Sequence, residues 1–419
     1  MAAVFKFILR GAAAILAVAL LFTAIWVVRL QLGWVEIPVE APLTAQTHDP
    51  AYAEAGEAAG LLLAAMRERT GVPGAGAAVS VDGRLVWSAG AGFAELEGLT
   101  PVTPDTSFRI GSTSKPMTAT VIARLAAAGT LSLDDTVGAH WPEPLNLAWD
   151  PLTLRRLMSH TSGMPGYEDN TDYRGLIGSM RMQRRFDSVE QGLSLVDGSQ
   201  LAYAQGEDFL YSSFDVNLAA RTSESATGQS YDRLLADLVT GPLGLETPYL
   251  DDHGAAPVQE ASWHQLGRGG ARLHPHADVS QRWPGGGLAA RSADLVQVAG
   301  AWLDEAFIPR ALAEDFWVPV RLNDGSVNEQ NYAVGWRSDL VVTRFGEGAP
   351  VRMVHHGGVS RGAMSWLALY PDLGIAVAVN INAETPQFND FASVEPEILR
   401  LFAAAAGRTP EGATPPSLD

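Results

Sequence analysis

Strand-like segments lie at both ends of this chain with a helical stretch between them, and that order constrains the fold more than any other feature. Near one end, Gly74 to Gly92 alternates small or apolar residues around Val81-Asp82-Gly83, where Asp-Gly marks a hairpin turn. Near the other, Tyr332 to Trp336, Leu340 to Phe345, Val351 to His355 and Ala363 to Ile381 are rich in β-branched and aromatic residues between Gly and Pro breaks. Between them, Ser114 to Ala128, Leu152 to Met158, Asn217 to Ala226, Ser230 to Leu238 and Ser292 to Trp302 carry helical spacing, several behind Ser, Thr or Asp caps. A further Ala/Leu-rich helix, Ala51 to Arg69, precedes the first hairpin. One discontinuous sheet with a helical insert accommodates all of these. At 419 residues and 47% hydrophobic, the chain can bury a core of that size.

Ahead of that unit, Gly11 to Val28 is free of charge and apolar but for Thr23. At about 1.5 Å per residue the run approaches the roughly 30 Å of bilayer hydrocarbon. Lys6 and Arg10 precede it and only Arg29 follows closely, so residues 1–30 are expected to form a single-pass anchor with the remainder extracytoplasmic. The alternative, a cleaved signal peptide, calls for small residues at the end of the apolar core, where Ile25-Trp26-Val27-Val28 stands instead. Residues 31–50 read as a tether, 51–405 as the main folded unit (sheet lobe about 51–110 and 330–405, helical lobe about 111–329), and 406–419 as a flexible tail. A net charge of -18 argues against nucleic acid as a partner, and the absence of Cys excludes disulfides and thiolate nucleophiles.

The candidate chemistry centres on Phe108-Arg109-Ile110-Gly111-Ser112-Thr113-Ser114-Lys115-Pro116, which runs into an apolar helical stretch. If Ser112 opens that helix, its hydroxyl and the Lys115 ammonium stack on one face a turn apart. The helix N-terminus then favours negative charge developing on an attacked carbonyl. Serine-x-x-lysine alone is a weak pattern. Lysine usage strengthens it: of 29 Lys and Arg residues, only Lys6 and Lys115 are lysines. A desolvated lysine sheds its proton at working pH, which arginine does not do, and that is what a general base requires.

With these residues in view, Phe108 to Asp135 resembles the nucleophile segment of the β-lactamase-related serine hydrolases: class C β-lactamases, D-alanyl peptidases and related esterases. Four later blocks follow in order: His160-Thr161-Ser162-Gly163-Met164-Pro165, Tyr211-Ser212-Ser213, Trp283-Pro284-Gly285-Gly286-Gly287-Leu288, and His355-His356-Gly357-Gly358. The wording Val79 to Ser88 and Phe209 to Phe214 is similar to the family's mitochondrial branch. The resemblance implies an α/β (α+β) β-lactamase/transpeptidase-like fold, an antiparallel sheet flanked by helices plus a helical lobe. It implies catalysis by Ser112, Lys115 and Tyr211, with Ser213, His355, Gly357 and Gly358 lining the substrate and oxyanion site, and no cofactor. His160 is expected to be a hydrogen-bonded loop histidine. Ser213 stands where many relatives have Asn, and His355 where K-T-G members have a permanent cation. Both weaken recognition of a β-lactam, so an esterase or peptidase acting on a small-molecule ester, amide or peptide is favoured. The alternative is an inactive penicillin-binding-like sensor or assembly protein.

Three other patterns are set aside. Gly358-Val359-Ser360-Arg361-Gly362 matches a G-x-S-x-G elbow, but strands rather than a helix follow it, and no histidine comes after His356. The pairs His355/His356 and His274/His276 supply too few ligands for a metal. Arg181, Arg184 and Arg185 read as a solvated face rather than a lid.

Overall fold

The computed structural model describes residues 2–251, 256–267, 269–342, 344–345 and 350–410. Its centre is an antiparallel sheet whose strands come from both ends of the chain: β1 (Leu43–Thr47), β2 (Gly74–Val81), β3 (Arg84–Glu95), β4 (Arg337–Val341), β5 (Val351–Ser360), β6 (Ala363–Tyr370) and β7 (Ile375–Ile381). The order across the sheet is β4-β5-β6-β7-β2-β3-β1, with the short Thr100–Pro101 strand added to β3. The two chain ends meet at β7 and β2, where Val377 pairs with Val79 and Ala378 with Ala78. The expected discontinuous sheet is therefore present.

Period-two alternation assigns each strand residue to one of two cores. Ala78, Leu367, Leu369, Ala376 and Ala378 face the helical lobe. Ala77, Val79, Ala368, Tyr370, Val377 and Val379 face the opposite layer, where helices Ala53–Thr70 and Glu395–Ala405 pack. The helical lobe contains Ser114–Ala127, Leu154–Met158, Ser213–Thr227 and Ser292–Ala301. The site described below lies where this lobe meets β5.

The structure departs from the sequence reading in four places. The segment read as a tether contributes β1, paired from Leu43↔Ala91 to Thr47↔Trp87, and a second short strand in which Val35 pairs with Ala271. These strands are too short for their alternation to be distinctive in sequence. Tyr332 to Trp336 is not a strand: Gly335 has φ 75°, and a β-carbon there would lie 2.6 Å from Ala119 Cβ, so this segment packs against helix Ser114–Ala127 instead. The tail begins tied down, with Arg408 bonded to Asp82 at 2.6 Å and to the Leu373 carbonyl at 2.7 Å; residues 411–419 lie outside those described. At the other end a helix spans Ala2–Gln31, with Ile15, Leu16, Leu20, Leu21 and Phe22 all exposed. Among the described residues, however, no helix is long and apolar enough to cross a membrane. Its side chains are described without interruption only over Ala14 to Ile25, roughly 18 Å of helix, and the rest of the expected span lies outside them.

Candidate active site

The turn that carries Ser112 is held by close packing. Gly111 has φ 51°, a left-handed conformation suited to glycine, and a β-carbon there would meet the Val359 carbonyl at 2.5 Å. Gly111–Thr113 forms a 3-10 turn that leads directly into helix Ser114–Ala127, and the Ser114 hydroxyl donates back to the Gly111 carbonyl at 2.7 Å. Ser112 thus sits one turn ahead of Lys115 with its hydroxyl partly open to solvent, while its neighbours are buried.

Lys115 is fully buried. Its Nζ lies 3.2 Å from Ser112 Oγ, 3.0 Å from Ser213 Oγ and 2.6 Å from the Gly285 carbonyl. Burial, reinforced by the positive charges of Arg282 and Arg337 and opposed by Asp215, holds its pKa well below the ordinary lysine value. A neutral amine has two N–H bonds and one lone pair. The Gly285 carbonyl can only accept and the Ser213 hydroxyl accepts equally well, so the lone pair is left for the Ser112 O–H. The arrangement aims the lone pair of a neutral Lys115 amine at the Ser112 hydroxyl.

Tyr211 completes the group. The Lys115 ammonium position lies 4.6 Å from its ring centre, and its hydroxyl bonds the Ser112 side chain. Burial pushes the phenol up to about 12, against the opposing effects of Ser112 and Arg337. At neutral pH it holds its proton and can donate it. Tyr211 is positioned by the histidine block: Leu210 N–H donates to the His160 carbonyl at 2.9 Å, Ser212 Oγ donates to the Pro165 carbonyl at 2.8 Å, and the His160 ring packs 4.4 Å from the Tyr211 ring. His160 Nδ1 in turn contacts Asp215 at 2.9 Å, and Ser162 donates to the other Asp215 oxygen at 2.5 Å. Burial drives the His160 ring well below its usual pKa and the Asp215 carboxyl well above. The imidazole, packed against the side of Tyr211, is a support and not a triad base.

Strand β5 closes the other wall. A β-carbon on Gly358 would lie 2.9 Å from the Ser112 amide and 1.9 Å from the Ile110 carbonyl, so only glycine permits this approach. The strand's alternation then decides between the two histidines. His356 shares a face with Gly358; its Nε2 lies 2.8 Å from the Tyr332 hydroxyl and its ring 6.3 Å from that of Tyr211. His355, expected in the substrate site, is on the opposite face, bonded to Asp339 at 2.7 Å and packed 4.9 Å from Trp366. Gly357 points the same way as His355, with Phe388 against it. The histidine on the Ser112 side of the strand is therefore His356, because adjacent residues on a strand project to opposite sides. Ser360 ends β5 and is followed by another strand, not by the helix an elbow requires.

Residues 61–395 match the Beta-lactamase family. The chain belongs to that family. The serine beta-lactamase-like protein LACTB, mitochondrial, of Homo sapiens is 26% identical over 416 residues, 79% of this chain and 76% of that protein. Protein flp of Staphylococcus aureus is 24% identical over 320 residues, 75% of this chain and 60% of that protein. Among solved structures, the D-amino acid amidase from Ochrobactrum anthropi superposes with a TM-score of 0.68 at 19% identity, covering 84% of this chain and 99% of its own. The D-stereospecific amidohydrolase from Streptomyces sp. gives 0.64 at 24%, covering 81% and 98%. Both share the β-lactamase/transpeptidase-like fold.

Within this β-lactamase-family chain, four participants had no role assigned from sequence. Gly285 lies in the glycine loop, yet nothing in the wording singles out its carbonyl as the Lys115 acceptor. Asn217 holds that loop, accepting from the Gly285 amide at 3.2 Å and donating to the Gln281 carbonyl at 2.9 Å. Arg337 lies 5.6 Å from the Tyr211 ring centre and 5.3 Å from that of Tyr332, with Gln330 accepting at 2.5 Å. Asp215 follows the tyrosine block and signals its role only once His160 is seen beside it.

Proposed function

We propose that this protein is a serine acyl hydrolase working through a Ser112 acyl-enzyme, an esterase or peptidase rather than an effective β-lactamase. The observation that carries the reading is the contact of Lys115 Nζ with Ser112 Oγ at 3.2 Å, by an amine whose other two partners are an obligate and a willing acceptor. As Ser112 Oγ bonds the acyl carbon, its proton passes to Lys115. The oxyanion is received by the Ser112 amide and the strand backbone at Gly358. When the acyl–leaving-group bond breaks, the leaving group takes the Tyr211 hydroxyl proton, and the Lys115 ammonium restores it. Water then attacks the ester, giving its proton to Lys115, and Ser112 regains a proton as the acid departs. Ser213 in place of Asn, and His356 in place of a permanent cation on the pocket face, leave little to fix a β-lactam.

The same reading assigns the helix Ala2–Gln31 as a single-pass anchor with an extracytoplasmic catalytic unit, supported by the exposed apolar side chains Ile15, Leu16, Leu20, Leu21 and Phe22. Extraction of the full chain by alkaline carbonate without detergent would refute the anchor. For the chemistry, a fluorophosphonate probe labels the wild type and not Ser112→Ala, and p-nitrophenyl ester turnover disappears in parallel. Labelling that survives Ser112→Ala ends the assignment; labelling without turnover marks a sensor.

A further inference from the structure

Two arginines converge at the mouth of the site without a carboxylate between them. Arg282 Nη2 lies 3.6 Å from Met182 Sδ, and Arg361 Nε lies 3.4 Å from the same sulfur. The Arg282 guanidinium also stands 5.8 Å from the Tyr167 ring centre, and its Nε is buried with no hydrogen-bond partner among the described residues. The nearby acids are engaged elsewhere: Asp278 accepts from the Ser280 amide at 2.9 Å and hydroxyl at 2.5 Å, and Glu384 from the Gly362 amide at 2.8 Å.

The chain has 47 acidic against 29 basic residues, and several of its other half-buried arginines are paired with acids. Arg155 bonds Asp134 and Asp315, Arg221 bonds Glu190, Arg291 bonds Asp294 and Glu246, and Arg352 bonds Glu314. Two like charges brought to one neutral thioether repel each other unless an anion joins them. Met182 is itself in a left-handed conformation, φ 46°, rarely adopted by such a residue, so its placement between the two is imposed by the fold.

The location ties the pair to the reaction. A β-carbon on Gly286 would lie 3.6 Å from Arg282 Cδ and 3.8 Å from the Gly111 carbonyl carbon, so the Arg282 stem runs beside the turn that presents Ser112. Arg361 follows β5 directly, just past the Gly358 backbone that touches the Ser112 amide. Arg282 is also the strongest charged influence on Lys115.

We infer that Arg282 and Arg361, joined over Met182, form a subsite for a carboxylate carried by the substrate. This rests on the hydrolase reading above, and it moves anion recognition from the histidine strand to the rim of the pocket. The guanidinium forks bond the carboxylate oxygens and Met182 packs against the attached chain.

The test compares neutral p-nitrophenyl valerate with mono-p-nitrophenyl glutarate, which carries the carboxylate in its acyl half, and with a carboxylated nitrophenyl butyrate, which carries it in the leaving half. One of the two anionic esters is expected to exceed the neutral ester in kcat/KM, through KM. Arg282→Gln and Arg361→Gln each lower the anionic-to-neutral ratio by about tenfold, the scale of one lost charge-assisted hydrogen bond. Ester turnover with no such preference, or with ratios unmoved in both variants, overturns the subsite and leaves the hydrolase intact. Should no ester be turned over, the esterase form of the hydrolase reading fails on its own terms. The subsite is then judged by glutarate raising the thermal midpoint of Ser112→Ala protein and not of the Ser112→Ala/Arg282→Gln/Arg361→Gln protein; no shift overturns it.

Discussion

Arg109 and Lys115 are both fully buried, six positions apart in one segment, yet the protein treats the two cations in opposite ways. Arg109 is enclosed by its opposite: Asp251 bonds its Nε, the Ala277 carbonyl accepts from Nη2 at 2.9 Å, and the Trp263 ring lies 3.3 Å from the guanidinium carbon. Lys115 has no carboxylate in contact, only a carbonyl and two hydroxyls, and its charged neighbours Arg282 and Arg337 repel it. A paired buried charge fastens strand Ser107–Arg109 to the segments around Asp251 and Ala277. An unpaired one is pushed toward losing its proton, which is what a base requires. Residue type follows the task, because arginine stays charged in any surroundings and lysine does not.

Breaking that difference has the largest expected effect. Lys115→Arg puts a permanent cation where a lone pair is needed, and kcat/KM for any ester that the wild type turns over falls about a thousandfold or more, the upper range for loss of a general base. Retention of even a tenth of the activity would show that a neutral amine is not required. Breaking the other side acts on stability. Asp251→Ala leaves Arg109 buried and unpaired, with an expected loss of about 3–5 kcal/mol in denaturant unfolding; a loss under about 1 kcal/mol would place the pair among contacts of little weight.

The contrast also has a signature in pH. Lys115 in the folded chain titrates well below its ordinary value near 10.5, so between those limits the unfolded chain holds one more proton than the folded one. Stability from this group therefore rises with pH across the window, by about 1.4 kcal/mol per unit, and Lys115→Met lacks the rise. The wild-type minus Lys115→Met difference in unfolding free energy, measured from neutral pH toward 10, checks the sign; a flat difference means the amine is charged in the folded state. Arg337 refines the same point. Removing its charge by Arg337→Gln raises the Lys115 pKa, so the acid limb of the kcat/KM profile moves to higher pH. An acid limb that stays put would show that Arg337 does not act on the base.

The sequence was informative where a residue's chemistry is rare in this chain and silent where geometry decides. Lys115 was legible because lysine is otherwise confined to Lys6. The discontinuous sheet was legible because its long strands alternate over many residues. Gly285 was not, since its contribution is a backbone carbonyl and every residue has one. Arg337 is one of many arginines, and only the packing of β4 beside β5 brings it to Tyr211. Leu43–Thr47 was read as tether because five residues at a sheet edge carry little pattern.

The two histidines show this limit most sharply, and they supply the smallest prediction. Alternation states that His355 and His356 face opposite ways, but a sequence has no origin from which to decide which way is inward. The origin is Gly358, whose missing side chain is required by the Ser112 turn, and counting back two residues reaches His356. His356 Nδ1 lies 2.6 Å from the Gly357 carbonyl, so that nitrogen carries the proton and Nε2 accepts from Tyr332. Burial keeps this ring neutral, well below its usual pKa. His356→Phe removes the tie between β5 and Tyr332 and is expected to lower kcat about tenfold by loosening the oxyanion wall. His355→Phe loses the bond to Asp339 and is expected to cost about 1–2 kcal/mol of stability with activity changed less than about twofold. If the two effects came out reversed, the strand would be presenting its other face to Ser112, and the oxyanion assignment at Gly358 would shift by one residue with it.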